Sequence, residues 1–442
     1  IERASAADLV MLAMEGNGRS PEQMGAVLVF GPGPGPDAVA MRRELADRAR
    51  RVARLRQRLV RVPPGCGRRI WVDDPSDRPE DHVRLVSSPA PGDERTLLDL
   101  AAEIIADPLP RSRPLWSAVL VTDRAGGTAA LVLVVHHVLA DGIGGLSILT
   151  SLLDPGPDGS TRAFPQPRPG PGALAADALS ARLRAVTRVR AAWRDLRATV
   201  TAAGGLHPPV AADCSLLHPT GRRCRFAVAH VDLAALRAVA HQHGGTVNDA
   251  LLAAVAGALR SLLRRRGESV AAFRIAVMVT TSRSASPGSG NLVAPLVIDL
   301  PSEGDPVTQL TETVGRVRAG RASATHPPVL ALLFPVFRLL AAVGLYRAYM
   351  VRQRRMHTLV SNVRGPARPL TLAGAPVQTI IPVGVGEAGN LTVRFLALSY
   401  AGSLTVTVAV DPEQVPELGA LAAALQDELE ALADSAAGSR RA

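Results

Sequence analysis

The sequence predicts an α/β protein built from two folded parts, and three observations support this fold class. Apolar runs of strand length alternate with stretches whose apolar residues recur every three or four positions, as in amphipathic helices. The 442 residues and the 47% hydrophobic content are sufficient for a large core and for two or three domains. Residues 154–172 are rich in proline and glycine and cannot form a regular element, so they mark a boundary.

The segment before this boundary contains strands and helices in alternation. Residues 26–30 and 129–135 are short runs rich in valine and leucine, which predicts two strands. Residues 41–60 are predicted to form an arginine-rich helix. A further helix is expected from residue 142, because one side of it carries Ile143, Leu146, Leu149 and Leu153.

The segment after the boundary begins with a helix-compatible stretch, 173–203, that carries six arginines around Trp193. This stretch is either a solvated helix packed across two domains or a surface for a membrane or another anionic partner. A strand and a helix follow from Cys224. We therefore predict an N-terminal domain at 1–153, a linker with a connecting helix at 154–220, and a C-terminal domain at 221–442.

Two local patterns are more specific within the predicted C-terminal domain. Thr246 and Asp249 have the spacing of a capping box in front of a helix with a leucine stripe, which gives Asp249 a structural explanation and leaves the amide of Asn248 available in the first turn. Residues 391–400 and 404–410 flank Ala401-Gly402, and the second run alternates apolar and polar side chains. This arrangement predicts a β-hairpin.

Residues 329–345 form the most apolar segment, but Pro335 and Arg338 interrupt it and disfavour a transmembrane span. Three interpretations remain open, namely a buried core helix, the lining of an apolar tunnel, and a helix lying on an anionic membrane surface. The membrane interpretation is favoured by the arginines that follow, at positions 347, 352, 354 and 355.

Composition excludes several functional classes. The sequence has no lysine, so all 50 basic residues are arginine, and neither a P-loop nor a pyridoxal phosphate Schiff base is possible. The net charge of +11 would suit nucleic acid, anionic lipid or a phosphorylated ligand, but aromatic residues make up only 3% and form no stacking row, so nucleic-acid binding ranks last. The three cysteines are widely spaced, which argues against disulfides and zinc and favours a reducing cytoplasm. Because the sequence begins at Ile1, we expect a trimmed or processed N-terminus.

The residues most informative about chemistry are His136-His137-Val-Leu-Ala-Asp141-Gly142, which lie between the predicted strand and the predicted helix. Side chains alternate across a strand, so only one histidine can face a given cleft, and we favour His137 as a general base. His136 is then a packed, hydrogen-bonded histidine. Asp141 either fixes the imidazole and braces the loop or caps the next helix, while Gly142 permits close approach of another backbone. A metal site is not expected, because the local sequence offers no third ligand.

This His-His-x-x-x-Asp-Gly segment resembles the motif of the coenzyme A-dependent acyltransferase superfamily, which includes chloramphenicol acetyltransferase and peptide-synthetase condensation domains. Further segments resemble, in order, motifs of the bacterial wax ester synthase/diacylglycerol acyltransferase family. These are residues 8–15, 108–116, 246–249, 361–366, 372–374 and 398–402. Two positions depart from the family pattern, because Pro110 replaces a usual acidic residue and Arg364 replaces a proline.

The resemblance implies two chloramphenicol acetyltransferase-like α/β domains with mixed sheets flanked by helices and an active site in the cleft between them. It implies direct transfer of a fatty acyl group from acyl-CoA, as co-substrate, to diacylglycerol or a long-chain alcohol, with His137 as the base and no bound cofactor. Asp141 would pair with Arg283, and Asn248 would support the cleft or the developing oxyanion. The other residues expected to bind substrate or support the cleft are Pro114, Leu115, Trp116, Asp249, Ser361 and Asn362, of which Leu115 and Trp116 are either tunnel or ordinary core.

The resemblance also implies work at an anionic membrane or lipid-droplet surface, with the enzyme cytoplasmic and peripherally attached to the inner face of the cell membrane. Two alternatives remain open. In one, the same fold takes its acyl group from a carrier protein or acylates a polar natural product. In the other, the chain is a lipid-binding relative without catalytic activity.

Overall fold

The computed structural model describes residues 1–5, 8–9, 11–12, 21–31, 37–122, 128–154, 163–187, 210–280, 293–323, 340, 345–385 and 389–438. The strands are β1 (Gln23–Phe30), β2 (Gln57–Val60), β3 (Ile70–Asp73), β4 (Val83–Ser87), β5 (Trp116–Thr122), β6 (Thr128–His136), β7 (Arg225–Asp232), β8 (Ala272–Thr280), β9 (Val293–Pro301), β10 (Thr358–Arg364), β11 (Thr371–Leu372), β12 (Ala375–Val385), β13 (Val393–Tyr400) and β14 (Ser403–Val410). The helices are α1 (Ala38–Ala49), α2 (Glu94–Ala106), α3 (Gly142–Leu153), α4 (Pro171–Thr187), α5 (Leu233–Gln242), α6 (Val247–Arg265), α7 (Pro306–Ser323), α8 (Tyr346–Val351) and α9 (Leu418–Gly438). Short 3₁₀ helices cover Ala53–Arg56 and Pro79–His82.

The first sheet has six strands in the order β11-β12-β1-β6-β5-β4. Strand β1 lies between β12 and β6 and is antiparallel to both, so that Gln23 is opposite Val385 on one side and His136 on the other. Strands β11 and β12 come from residues 371–385, which belong to the predicted C-terminal domain. Strand pairing therefore crosses the predicted division of the chain, and that division stays a prediction.

The second sheet has the order β7-β14-β13-β10-β8-β9. Strand β10 is parallel to both of its neighbours, whereas β13 and β14 form an antiparallel hairpin. Ala401 and Gly402 form the turn with φ values of 45° and 91°, the left-handed conformation that two-residue hairpins require. The predicted hairpin is confirmed.

Helix α6 is the central helix of the second part, and most of its residues are buried against the second sheet and α9. It begins with the predicted capping box, in which Asp249 accepts hydrogen bonds from the backbone N–H and the hydroxyl of Thr246, both at 2.8 Å. This cap fixes the point at which the helix starts, and thereby fixes the position of Asn248 in its first turn.

A buried apolar cluster joins the two sheets. Val27, Val119 and Ile381 of the first sheet pack with Phe226 and Ala409 of the second, and all five are fully or almost fully buried. Beside this cluster Arg225 pairs with Asp99 at 3.0 Å. The two sheets are therefore held together by a continuous core, which agrees with the predicted two-part α/β fold.

One predicted helix is wrong over half of its length. Helix α1 ends at Ala49, a short 3₁₀ turn follows, and residues 57–60 form β2. Leu59 and Val60 pair there with Trp71 and Ile70 of β3, so strand pairing prevails over a helical pattern based mainly on arginine. The second part of the predicted 173–203 helix and nearly all of 329–345 lie outside the described residues.

Candidate active site

The paired histidines lie where β6 ends, as predicted. His136 is the last residue of β6 and is 1% exposed. Its backbone N–H donates to the carbonyl of Leu115 at 3.0 Å, and its Nδ1 accepts from the backbone N–H of Val138 at 2.9 Å. His136 is therefore a packed, hydrogen-bonded residue whose neutral form carries its proton on Nε2.

His137 follows in the turn and is only partly buried. Its backbone N–H donates to the carbonyl of Glu22 at 2.8 Å, which ties the turn to the residue before β1. Burial, and secondarily the neighbouring His136, lower the pKa of His137 from 6.5 to about 4, while the negative charge of Asp141 opposes this shift. At neutral pH the imidazole is therefore uncharged and able to accept a proton.

Asp141 is the N-cap of α3, where its Oδ1 accepts from the backbone N–H of Gly144 at 2.8 Å. The capping role that the sequence allowed is thus observed, and the same carboxylate acts on the charge of His137. Its predicted partner Arg283 lies outside the described residues. The pairing of Asp141 with Arg283 therefore stays a prediction.

Gly142 brings the loop after β6 into contact with the second sheet. A Cβ atom added at Gly142 would lie 3.2 Å from Cγ2 of Val363 in β10, which is closer than side chains normally approach. Val363 belongs to the predicted 361–366 motif. The absence of a side chain at Gly142 thus allows two of the predicted motifs to meet.

The predicted 246–249 motif contacts the 361–366 motif at the start of α6. Asn362 Nδ2 donates to Asn248 Oδ1 at 3.5 Å, a long hydrogen bond between β10 and the helix. Ser361 precedes Asn362 on the same strand and is partly exposed, whereas Asp249 is 4% exposed and engaged in the cap. The structure therefore places Asn248, Asn362 and Val363 together, and Val363 borders Gly142 at the start of α3.

Pro114, Leu115 and Trp116 lie in the core of the first part. All three are buried, Trp116 donates from Nε1 to the carbonyl of Leu55 at 2.9 Å, and its ring stacks on His82 at 4.5 Å. The structure shows Leu115 and Trp116 as ordinary core residues, which is one of the two interpretations of these residues. Their contribution to the site is indirect, because the carbonyl of Leu115 holds His136.

Sequence reasoning missed two residues that position the histidines, Glu22 and Gln23. The carbonyl of Glu22 accepts from His137, and the buried side chain of Gln23 bonds the end of α2 at Ile105 and Asp107, at 2.6 Å and 3.0 Å. Both were overlooked because the strand was predicted only from residue 26, where the apolar run starts. Both residues are polar and resemble loop residues, although the side chain of Gln23 satisfies buried backbone groups and Glu22 acts through its backbone carbonyl.

Within the described ranges, no group of three histidine, cysteine or acidic side chains is arranged to hold a metal ion. The cysteines Cys66, Cys214 and Cys224 are free, and burial raises the pKa of Cys214 and of Cys224. Over the same ranges, no single helix is long and apolar enough to cross a membrane; α5 and α6, bent by 95°, meet the length and composition test only as a pair.

Comparison with known families agrees with this geometry. Residues 5–251 match the wax ester synthase/diacylglycerol acyltransferase catalytic domain, and residues 289–433 match the C-terminal domain of the same family. The chain belongs to this family. It is therefore an acyltransferase, and the approach of Gly142 to Val363 and the hydrogen bond between Asn362 and Asn248 join residues from the two matched domains.

Individual relatives of this acyltransferase give the same assignment. It is 31% identical over 423 residues to a Mycobacterium tuberculosis protein named "Probable diacylglycerol O-acyltransferase tgs1", covering 91% of this chain and 89% of that protein. A wax ester synthase/diacylglycerol acyltransferase structure from Marinobacter aquaeolei VT8 matches with a TM-score of 0.70 and 21% identity, covering 99% of this chain and 100% of the other. The first condensation domain of the CDA synthetase matches with a TM-score of 0.61 and 19% identity, covering 99% and 97%. These structural matches confirm the predicted fold class.

Proposed function

We propose that this acyltransferase moves a fatty acyl group from acyl-CoA to the hydroxyl of diacylglycerol or of a long-chain alcohol, with His137 as the general base. The observation that carries the proposal is a neutral imidazole in the loop that leads to Gly142, where this loop approaches Val363 of the second sheet next to the Asn362–Asn248 hydrogen bond. The relatives named as diacylglycerol O-acyltransferases support this choice of acceptor. The product is a triacylglycerol or a wax ester.

The proposed reaction is a direct transfer within a ternary complex. His137 takes the proton of the acceptor hydroxyl while its oxygen attacks the thioester carbonyl; the C–O bond forms, the C–S bond breaks, and the proton passes to the departing CoA thiolate. The lowered pKa of His137 keeps the imidazole uncharged at neutral pH and makes its protonated form a ready proton donor to the thiolate. Holding both reactants in one site supplies the orientation that this transfer needs.

A covalent acyl-cysteine is not part of the proposal. Burial raises the pKa of Cys214 and of Cys224, which disfavours the thiolate form that a nucleophile requires. The Asn248 amide at the seam is suited to support the cleft or to donate to the developing oxyanion.

We further infer that the enzyme works peripherally at the cytoplasmic face of the cell membrane or on lipid droplets, and that it contacts an anionic surface. Helix α4 supports this inference, because Arg3 ties one side of it to the body through Asp177 at 2.6 Å and through the carbonyl of Leu174 at 3.0 Å. Its other side exposes Leu179 and Leu183, at 57% and 61%. Exposed arginines that would complement anionic lipid are Arg182 and Arg184 on α4 and Arg352, Arg354 and Arg355 after α8.

The test of the reaction is product analysis with purified protein and palmitoyl-CoA, offered either dipalmitoylglycerol or hexadecanol. We expect an ester and an equal amount of free CoA, with His137→Ala as the inactive control. Free CoA without either ester would point to another acceptor, and ester formation only from an acyl carrier protein would replace the donor. Reversing the charge at Arg352, Arg354 and Arg355 should reduce binding to anionic vesicles and reduce activity on diacylglycerol more than activity on a short soluble alcohol.

A further inference from the structure

A buried histidine outside the His136–His137 turn, His82, is bonded through both nitrogens of its ring. It is the last residue of the second 3₁₀ helix, and its side chain is 2% exposed. Its Nδ1 lies 2.9 Å from the carbonyl oxygen of Trp116, and its Nε2 lies 2.7 Å from Oδ1 of Asp77, whose side chain is 4% exposed. The ring therefore connects the turn after β3 to the first residue of β5.

Both partners of this ring are hydrogen-bond acceptors, and this determines where its protons lie. A carbonyl oxygen can only accept, so Nδ1 carries a proton. If Nε2 were unprotonated, its lone pair would face the Asp77 carboxylate at 2.7 Å, so a proton lies between these two atoms as well. The pair of His82 and Asp77 thus holds two protons, one more than a neutral histidine beside an ionised aspartate.

The surroundings favour a positive charge on the ring. His82 stacks on the indole of Trp116, with the ring centroids 4.5 Å apart and the planes 8° apart, and the face of an indole attracts a cation. Charged residues on the neighbouring elements form contacts of their own, namely Glu80 with Arg50, Asp74 with Arg58, and Arg42 with the carbonyl of Glu80. The carboxylate directed at His82 is that of Asp77, so an imidazolium and a carboxylate form a buried ion pair.

The residue whose carbonyl His82 bonds also belongs to the segment that holds the proposed base. The peptide group between Leu115 and Trp116 presents its carbonyl oxygen to the backbone N–H of His136, at 3.0 Å. His136 is followed directly by His137. A shift of Trp116 would therefore move this peptide group, and with it the turn that carries the imidazole of His137.

We propose that His82 is an imidazolium at neutral pH that positions the His136–His137 turn for acyl transfer through the Trp116 carbonyl, with Asp77 as its counter-ion. His82 acts through Trp116 and Leu115, and is therefore a positioning residue. Such a residue affects the rate because a displacement of about 1 Å at a reacting group can cost about 10²-fold. The effect on the rate rests on the proposed role of His137, whereas the protonation of His82 does not.

The first test is nitrogen NMR of the full chain labelled with ¹⁵N-histidine, at pH 8, where an ordinary histidine is neutral. We expect one of the ten histidines to have both ring nitrogens protonated. Asp77→Asn should convert one of the two to an unprotonated nitrogen, because its amide can donate to Nε2, and this response assigns the signal to His82. The absence of a doubly protonated histidine, or a signal that is unchanged in Asp77→Asn, would overturn the proposal.

The second test uses two substitutions that each keep half of the contacts of the ring. The amide of His82→Asn can replace Nδ1 and donate to the Trp116 carbonyl, whereas the longer side chain of His82→Gln can reach Asp77 in place of Nε2. We expect kcat, measured as release of CoA, to fall about tenfold in His82→Gln, which corresponds to the loss of about one hydrogen bond, with KM for acyl-CoA unchanged. His82→Asn should keep more of kcat but melt at a lower temperature, because it leaves the Asp77 carboxylate unpaired.

The opposite order of activity and stability distinguishes positioning from packing. His230→Gln is the matched control and should leave kcat unchanged, since His230 is a partly buried histidine of the second sheet whose Nδ1 lies 3.2 Å from the hydroxyl of Thr405. If His82→Asn does not fold, the double variant Asp77→Asn/His82→Asn removes the unpaired carboxylate and takes its place. Equal kcat in the Asn and Gln variants, or values that follow their melting temperatures, would overturn the positioning role.

The two tests also separate this proposal from the proposed function. The NMR measurement needs no substrate, so its result is independent of which ester the product assay finds. Normal ester synthesis together with equal kcat in the two variants of His82 would overturn the role of His82 alone.

Discussion

Lowering the pH from 7 to 5 should leave most of the acyl-transfer rate intact, because His137 stays neutral over that interval. With its pKa lowered to about 4 by burial, about nine-tenths of the imidazole is unprotonated at pH 5, whereas a histidine at the ordinary value of 6.5 would be only about 3% unprotonated. Relative to pH 7, kcat/KM should therefore retain about nine-tenths of its value. An unperturbed base would retain only about one twenty-fifth.

The assay is release of free CoA, with the acceptor presented in zwitterionic detergent and ionic strength held constant across the buffers. The same pKa shift links the stability of the fold to pH, because the pKa of His137 is lower in the folded than in the unfolded chain. The contribution of His137 to stability is therefore complete above about pH 6.5 and declines as the pH falls toward 4, by up to about 3 kcal/mol. Samples held at pH 5 are therefore returned to pH 7 and assayed again, which separates unfolding from titration of the base. An acid limb centred near 6.5 in protein that remains folded would refute the assignment of a buried neutral imidazole.

Four further predictions concern the same site. His137→Ala should reduce turnover by about 10²- to 10⁴-fold without unfolding the protein, and near-normal ester formation in a folded variant would exclude it as the base. Asp141→Asn keeps a side-chain oxygen for the α3 cap but removes the charge, so it should lower the rate with at most a small loss of stability from capping. A further loss of about 3–5 kcal/mol of stability would indicate the predicted buried pair with Arg283. Unchanged melting and rate would exclude both the effect of the charge on His137 and the pair with Arg283. Asp141→Ala should in addition lose about 1 kcal/mol of capping energy in chemical denaturation. Initial-rate plots that vary acyl-CoA and alcohol should intersect, whereas parallel lines would indicate an acyl-enzyme.

Local sequence patterns were sufficient to predict the strand and the helix on either side of the histidine turn. The apolar run before His136 and the spacing of leucines after Gly142 predicted β6 and α3, because both elements are stabilised by residues close in sequence. The capping box at Thr246 and the β13–β14 hairpin were predicted for the same reason. Each depends on contacts within a few residues.

The arrangement of the site depends on distant contacts that no local pattern records. The approach of Val363 to Gly142 and the bond between Asn362 and Asn248 join segments more than a hundred residues apart. Periodicity fixes which face of a strand is apolar, but it does not identify the partner strand. Glu22 was missed for a related reason, since its role lies in its backbone carbonyl and is independent of its side chain.

The pairing of β12 with β1 bears on how the chain is made. During synthesis β1 is complete after about thirty residues, but its partner β12 ends only at Val385. The first sheet can therefore form fully only after most of the polypeptide has been made. Until then β1 is an unprotected apolar edge, the kind of surface on which unfinished chains associate with one another. For the same reason the N-terminal half is a poor unit for truncation or for exchange between homologues, and an interchangeable module would have to include residues 371–385.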